Sequence, residues 1–235
     1  MNGEAGCLHR PIYTVGEASK LLSLQRARIR RWLLGYEYDY GPPGQASRVR
    51  RPPVVIRERH SQPEAASFLD LMELLFVRAF LREGISLQKV RKALSEAAQL
   101  TGEDHPFARR RFFMLRSDIF IELRAKPDAI LVQLLSGGQL GLRELILECG
   151  RKIDFDRETG FARRWWPLGK DRPVVLNPKV AYGAPSIANR GILTSTVYDL
   201  YLGEEKRADR VADWLALTRG EVEAAVEFES SLRAA

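Results

Sequence analysis

The stretch from Tyr13 to Trp32 constrains this chain more tightly than any other. Thr14 stands three residues before Glu17, the spacing at which each side chain can satisfy a free amide of the first helical turn. Val15, Ala18, Leu21 and Leu22 then fall on one helical face. Leu22-Ser23-Leu24 reads as a turn into a second short helix. That helix turns Ile29 and Trp32 inward and leaves Arg26, Arg28, Arg30 and Arg31 on its remaining surface. A short helix that packs on its neighbour and shows several arginines outward has the form that the DNA major groove accepts. The alternative is a small helical hairpin with a solvated basic face.

Charge placement supports the first reading. The 235-residue chain carries a formal net charge of +7. Residues 10–60 hold eleven lysines and arginines against four acids, whereas residues 173–235 hold seven against nine. Polyanion binding is therefore expected of the N-terminal part. Tyr36-Glu37-Tyr38-Asp39-Tyr40 followed by Gly41-Pro42-Pro43-Gly44 predicts a strand and an exposed turn. Arg48, Arg50 and Arg51 follow, and Val54-Val55-Ile56 is expected to return as the second strand. The result is a wing whose arginines reach phosphates or the minor groove.

Tyr13, Thr14, Val15, Gly16, Glu17, Lys20 and Arg30 match, without gaps, the opening pattern of the MerR-type winged helix-turn-helix, which this segment resembles. Arg31-Trp32 stands where that family usually has two aromatics, and Gln25 replaces the usual Ser or Thr cap. The run Arg82 to Arg91, with Gly84, Ile85, Ser86 and Leu87, is also similar to the link between the family's third and fourth helices. The resemblance spans roughly Tyr13 to Leu100. It implies DNA contact by Gln25, Arg26, Arg28, Arg30 and Arg31, with Arg48, Arg50 and Arg51 from the wing. Thr14 is expected to hold a phosphate at the first helix N-terminus. Residues 68–100 are read as two amphipathic helices of the core, broken at Gly84.

The family's long dimerisation helix has no counterpart after this point. Ile119-Phe120-Ile121-Glu122-Leu123 and Ala129 to Leu135 read as apolar strands, and Arg157-Glu158-Thr159-Gly160 as a hairpin turn between Lys152–Asp156 and Phe161–Trp166. Apolar strands without helical cover invite edge pairing, so this region is expected to form a homodimer. Trp165-Trp166 beside Arg163-Arg164 fits an interface better than a base-stacking surface.

Three helices are expected near the C-terminus. The first follows Thr194-Ser195-Thr196 and stops at Gly203, the second runs from Lys206 through Trp214, and the third opens on the Thr218/Glu221 capping box. Gly183, Pro185, Ile187, Arg190, Gly191, Ile192, Thr196, Val197, Leu217, Thr218, Val222 and Ala225 match the pattern of a small antitoxin-associated domain, which this segment resembles. Its members occur in VapB-type antitoxins that neutralise PIN-domain ribonucleases. The resemblance implies a toxin partner whose acidic metal site is covered by basic residues. The candidates for toxin contact are Arg163, Arg164, Trp165, Trp166, Lys170 and Arg172.

Catalytic signals are weak. His9, His60 and His105 lie in separate polar stretches and read as surface residues. Asp154-Phe155-Asp156 begins like a calcium loop, but its twelfth position is Trp165. Gly137-Gly138-Gln139-Leu140-Gly141 lacks the Lys-Ser/Thr of a phosphate loop. Cys7 and Cys149 form no metal-spacing motif. No run of about eighteen apolar residues is present.

These observations predict an α+β chain in three parts. Residues 10–104 form a winged helix-turn-helix with a helix pair, residues 105–172 a β-rich dimerisation or partner region, and residues 173–235 a small three-helix, helix-turn-helix-like domain. The expected function is that of a cytoplasmic, non-enzymatic antitoxin without metal or cofactor. It binds double-stranded operator DNA as a homodimer, represses its own operon and neutralises a PIN-domain ribonuclease toxin. The competing expectation is a stand-alone regulator with a small-molecule sensor in its middle region.

Overall fold

The computed structural model describes residues 3–42, 45, 47–57, 62–102, 104–109 and 148–234. The chain divides into two compact units. One comprises Met1–Leu8 and Leu147–Ala235, the other His9–Ile146. The helices described are α1 (Gly3–Leu8), α2 (Val15–Leu22), α3 (Arg26–Leu34), α4 (Phe68–Arg82), α5 (Leu87–Thr101), α6 (Thr194–Gly203), α7 (Ala208–Leu215) and α8 (Arg219–Arg233). The strands are β1 (Tyr13–Thr14), β2 (Tyr36–Tyr40), β3 (Ser47–Arg51), β4 (Ala65–Ala66), β5 (Ile153–Phe155), β6 (Ala162–Trp165), β7 (Val174–Val175) and β8 (Ser186–Ile187). None of these helices is long and apolar enough to cross a membrane.

The His9–Ile146 unit opens with β1, which pairs antiparallel with β4 through Tyr13↔Ala66 and Thr14↔Ala65. Thr14 then caps α2. Its hydroxyl accepts from the Glu17 amide at 3.1 Å, and its own amide donates to Glu17 Oε2 at 2.7 Å. Ser23 turns left-handed at φ 49°, its amide returning to Lys20 and Ser19 carbonyls, and this ends α2. The helix pair expected from the sequence is thus present, with Ala18, Leu21, Leu22, Ile29, Trp32 and Leu33 buried.

Strands β2 and β3 form the wing in the register Tyr36↔Arg51, Tyr38↔Val49, Tyr40↔Ser47. Its return strand is Ser47–Arg51, not Val54–Ile56 as expected. The amides of Val54 and Val55 both donate to the Trp32 carbonyl, at 2.7 and 3.1 Å, and both side chains are buried. The apolar run therefore satisfies the C-terminal end of α3 rather than a sheet edge.

Helix α4 is buried almost all round, as a helix at the centre of a core must be. Each fully buried large apolar side chain, such as Phe68, Leu71 or Phe76, contributes roughly 1.5–3 kcal/mol. Gly84, at φ +77°, makes the break before α5, and the Ser86 hydroxyl accepts from the Lys89 amide to cap that helix.

In the other unit, β5 and β6 form the expected hairpin. Asp156 Oδ1 accepts from the amides of Glu158 and Thr159 and so holds the turn. Trp165 and Leu176 exchange backbone hydrogen bonds at 3.0 and 2.9 Å. The hairpin is thereby continuous with the segment beyond residue 172, across the boundary expected there. The strands expected at Ile119–Leu123 and Ala129–Leu135, and with them the dimerisation surface, lie outside the described residues.

Helices α6, α7 and α8 close over Ile187, Val197, Val211, Ala212, Leu217, Val222 and Ala225. The Thr218/Glu221 capping box opens α8 as expected. Five of those core residues (Ile187, Val197, Leu217, Val222 and Ala225) also carry the C-terminal resemblance, so they report packing. Inside this unit the Thr194 hydroxyl donates to buried Glu229 at 2.5 Å.

Candidate nucleic-acid interface

Helix α3 presents Arg26, Arg28, Arg30 and Arg31 on its exposed side because Ile29, Trp32 and Leu33 are committed to the core. The four arginines do not stand alike. The Arg26 guanidinium lies against Gly16, where a Cβ would meet it at 3.5 Å. Arg30 is ion-paired to Glu64 at 2.6 Å, both side chains largely exposed. Arg31 lies over the Tyr36 ring, 5.4 Å from its centre. Arg28 is exposed, and among the described residues no carboxylate pairs with it. Gln25 precedes the helix without making a side-chain cap.

The wing register divides its arginines between two faces. Arg48 and Arg50 share a face with Glu37 and Asp39, and Arg48 Nε pairs with Glu37 at 3.0 Å. Arg51 lies on the tyrosine face, where its guanidinium donates to the Tyr38 hydroxyl at 3.2 Å. The two strands therefore cannot present Arg48, Arg50 and Arg51 together to one phosphate row.

Thr14 is placed differently from the expectation. Its hydroxyl is engaged with Glu17 in both directions, at 2.8 and 3.1 Å. The Glu17 carboxylate occupies the anion position at the α2 N-terminus, so a phosphate there would meet negative charge.

The structure adds residues of α5, a helix expected to serve the core. Between the wing base and α5 lies an open cleft of about 1120 Å³, lined in part by Leu33, Arg51, Pro53, Gln88, Arg91 and Lys92. Nε and Nη2 of Arg91 are buried, with no hydrogen-bond partner among the described residues. Burial lowers the Arg91 pKa, and the nearby Arg51 charge lowers it further. Two guanidinium groups held beside each other in this way favour an anion between them. The signal in the sequence was Lys89-Val90-Arg91-Lys92, which is basic on the polar face of an amphipathic helix.

A buried polar network lies behind the interface. Arg57 Nη1 donates to Asp70 Oδ2 at 3.0 Å, and His105 Nε2 lies 2.9 Å from Asp70 Oδ1. Burial opposes the Asp70 charge, but His105 and Arg57 outweigh it and hold the carboxyl at about 2. Burial likewise opposes the His105 charge, and Asp104 and Asp70 hold it up at about 9. Glu73 Oε1 accepts from the amides of Phe107 and Ala108 at 2.7 and 3.1 Å, and burial pushes this carboxyl up to about 7. His105, expected at the surface, is fully buried because it closes this network.

Residues 11–94, from the entry to β1 through most of α5, match a family model described as "Putative DNA-binding HTH domain". The match contains α2, α3, the wing and α4. The chain is 27% identical over 197 residues to a protein of Mycobacterium tuberculosis named "Putative antitoxin VapB45", covering 80% of this chain and 81% of that one. A crystal structure of Rv2018, also from Mycobacterium tuberculosis, superposes with a TM-score of 0.68 over 93% of this chain and 99% of that chain, at 22% identity. At that identity the likeness speaks for the fold. The fold is thus mixed helix and sheet with an N-terminal helix-turn-helix, and the chain is a homologue of an antitoxin-named protein.

The six candidates for toxin contact differ in what they can offer. Trp165 is buried, 4% exposed, and packs as core. Asp154 gathers three others. Lys170 Nζ lies 2.8 Å away, Arg164 Nε 3.1 Å, and the Trp166 indole donates at 2.9 Å. Arg172 pairs with Glu227 at 2.5 Å. Arg163 is exposed and outside these pairs. The charges expected to cover a toxin site are thus largely used to build the hairpin and the loop that follows it.

Proposed function

We propose that the chain is a DNA-binding antitoxin. The N-terminal winged helix-turn-helix binds the operator of its own operon, and the C-terminal unit binds and neutralises a ribonuclease toxin of the PIN-domain type. The observation that carries the DNA reading is the exposed arginine face of α3, standing on a buried apolar face and flanked by the two-stranded wing. Arg28 is the base-reading candidate, since it is exposed and no carboxylate among the described residues pairs with it. Arg26, Arg30, Arg31, Arg48, Arg50 and Arg51 are backbone-positioning candidates, joined by Arg91 and Lys92 of the cleft. Thr14 positions α2 through its cap. A homodimer would set two α3 helices one helical turn apart on a pseudo-palindromic site.

The toxin reading is supported by the homologue named as an antitoxin, matched over most of both chains. Arg163, exposed on β6, is the contact favoured among the six candidates. The test is co-expression of the full chain with the product of the adjacent reading frame, scored by growth rescue and co-purification, with anisotropy titration of upstream DNA alongside. Rescue with a stable complex supports the antitoxin reading. DNA binding without toxicity or a complex overturns it in favour of the stand-alone regulator.

A further inference from the structure

We propose that His9, Asp104 and His105 form a binding site for one divalent transition-metal ion of the zinc class. The three residues come from two distant stretches of the His9–Ile146 unit: His9 precedes β1, and Asp104-His105 follows α5. Their ligand atoms all lie within 4.8 Å of one another. Nδ1 of His105 is 3.2 Å from Asp104 Oδ2, and Nδ1 of His9 is 3.8 Å from the same oxygen. Tetrahedral zinc with ligand bonds of about 2.0–2.1 Å places its ligands roughly 3.3 Å apart. The 3.2 Å separation is close to that edge, and the 3.8 Å one would have to shorten by about half an ångström on binding.

The deciding observation is the placement of His105. Its side chain is fully buried, and Nδ1 makes no hydrogen bond among the described residues despite its closeness to Asp104. Nε2 is committed to Asp70 Oδ1 at 2.9 Å. Asp70 is itself fixed by Arg57 at 3.0 Å and by the Ser67 amide at 2.8 Å, and it accepts only. With Nε2 held by Asp70, Nδ1 is the ring atom turned toward Asp104. A metal ion bound between Nδ1 and the Asp104 carboxylate would take the place of the Nδ1 proton. A carboxylate behind a ligating histidine is the arrangement that fixes imidazole orientation at metal sites.

The donor set selects the ion. Two imidazole nitrogens and one carboxylate oxygen suit zinc, cobalt or nickel rather than magnesium or calcium. His9 and Asp104 are 28% and 25% exposed, which provides entry and leaves a position for water. Among the described residues, Asp70 and Glu73, buried beside His105, and Arg109, near Asp104, also face the cluster. A bound ion would tie the chain before β1 to the turn after α5 and so clamp the helix-turn-helix unit.

The test uses the full chain, stripped of metal and titrated calorimetrically with zinc chloride. Cobalt(II) serves as the spectroscopic probe. His9→Ala and Asp104→Asn are the variants, since both residues are partly exposed and neither belongs to the buried core. The expected result is one zinc per chain, visible cobalt absorption, and affinity lowered at least about tenfold in each variant. Zinc should raise the thermal midpoint of the wild type and leave that of the variants unmoved. Three results would overturn the proposal. The first is zinc binding unchanged in both variants. The second is no saturable binding by a folded wild type, which would assign the geometry to an imidazolium paired with Asp104. The third is a preference for magnesium over zinc.

Discussion

The guanidinium of Arg78, on α4, donates through Nη1 to the carbonyl of Leu22 at 2.6 Å. Leu22 is the last residue of α2, so its carbonyl has no partner within the helix. The core helix thus closes the end of the first recognition-unit helix, next to the turn that aims α3. A charged donor on a terminal carbonyl also suits the helix dipole.

Arg78→Ala should therefore lower stability by about 1–3 kcal/mol, the cost of leaving a buried carbonyl unpaired. Thermal unfolding measures this, and Arg78→Lys should recover part of the loss. DNA affinity should fall with Arg78→Ala even though the side chain does not face the groove. Affinity unchanged in a destabilised variant would separate the cap from the aiming of α3.

Gly35 links α3 to the wing at φ +75°, and a Cβ there would collide with the Arg51 carbonyl. Gly35→Ala combines a left-handed backbone with that clash, and each such strained position costs of order 1–3 kcal/mol. The expected outcome is a lower thermal midpoint and weaker DNA binding, with α3 still helical by circular dichroism. A neutral effect on both would show that the wing base can relax.

Arg28→Ala should weaken DNA binding and narrow the difference between operator and unrelated DNA. Arg91→Ala should weaken binding to both equally and reduce the slope of log affinity against log salt by about one unit. Anisotropy titrations at several salt concentrations distinguish the two. An unchanged slope for Arg91→Ala would place the cleft outside the DNA footprint.

The buried Glu73 predicts a stability that depends on pH. Its folded pKa of about 7 lies above the ordinary 4.5, so the folded state holds the proton more tightly than the unfolded chain. The associated stability is complete below about 4.5 and is lost as pH rises through about 7. The thermal midpoint should fall over this interval, and Glu73→Gln should flatten that part of the profile. A profile unaltered by Glu73→Gln would mean that the two amide bonds to Oε1 offset the burial.

Arg163→Glu should impair toxin neutralisation while leaving the fold intact, because Arg163 is exposed and takes no part in the Asp154 cluster. Arg164→Glu should also destabilise the hairpin by placing a like charge beside Asp154. Growth rescue combined with thermal unfolding separates the two effects. Undiminished rescue by folded Arg163→Glu would remove this arginine from the toxin interface.

Local signals in the sequence determined the helix pair, its caps and the arginine face of α3. Thr14 with Glu17, Ser86, and Thr218 with Glu221 act within three residues, and the Ile29–Trp32 spacing fixes the buried side of a helix whatever it packs on. The same holds for the Arg157–Gly160 turn. Tertiary structure decided what depends on distant partners. It gave Val54 and Val55 to the end of α3 instead of the wing, because the Trp32 carbonyl needed donors. It drew His105 inward to Asp70, opened Arg91 onto the cleft and divided the wing arginines between two faces. It also committed Arg164, Lys170 and Trp166 to Asp154. Helical periodicity and capping are properties of neighbouring residues, whereas a buried charge is placed by the partner that compensates it, which can lie anywhere along the chain.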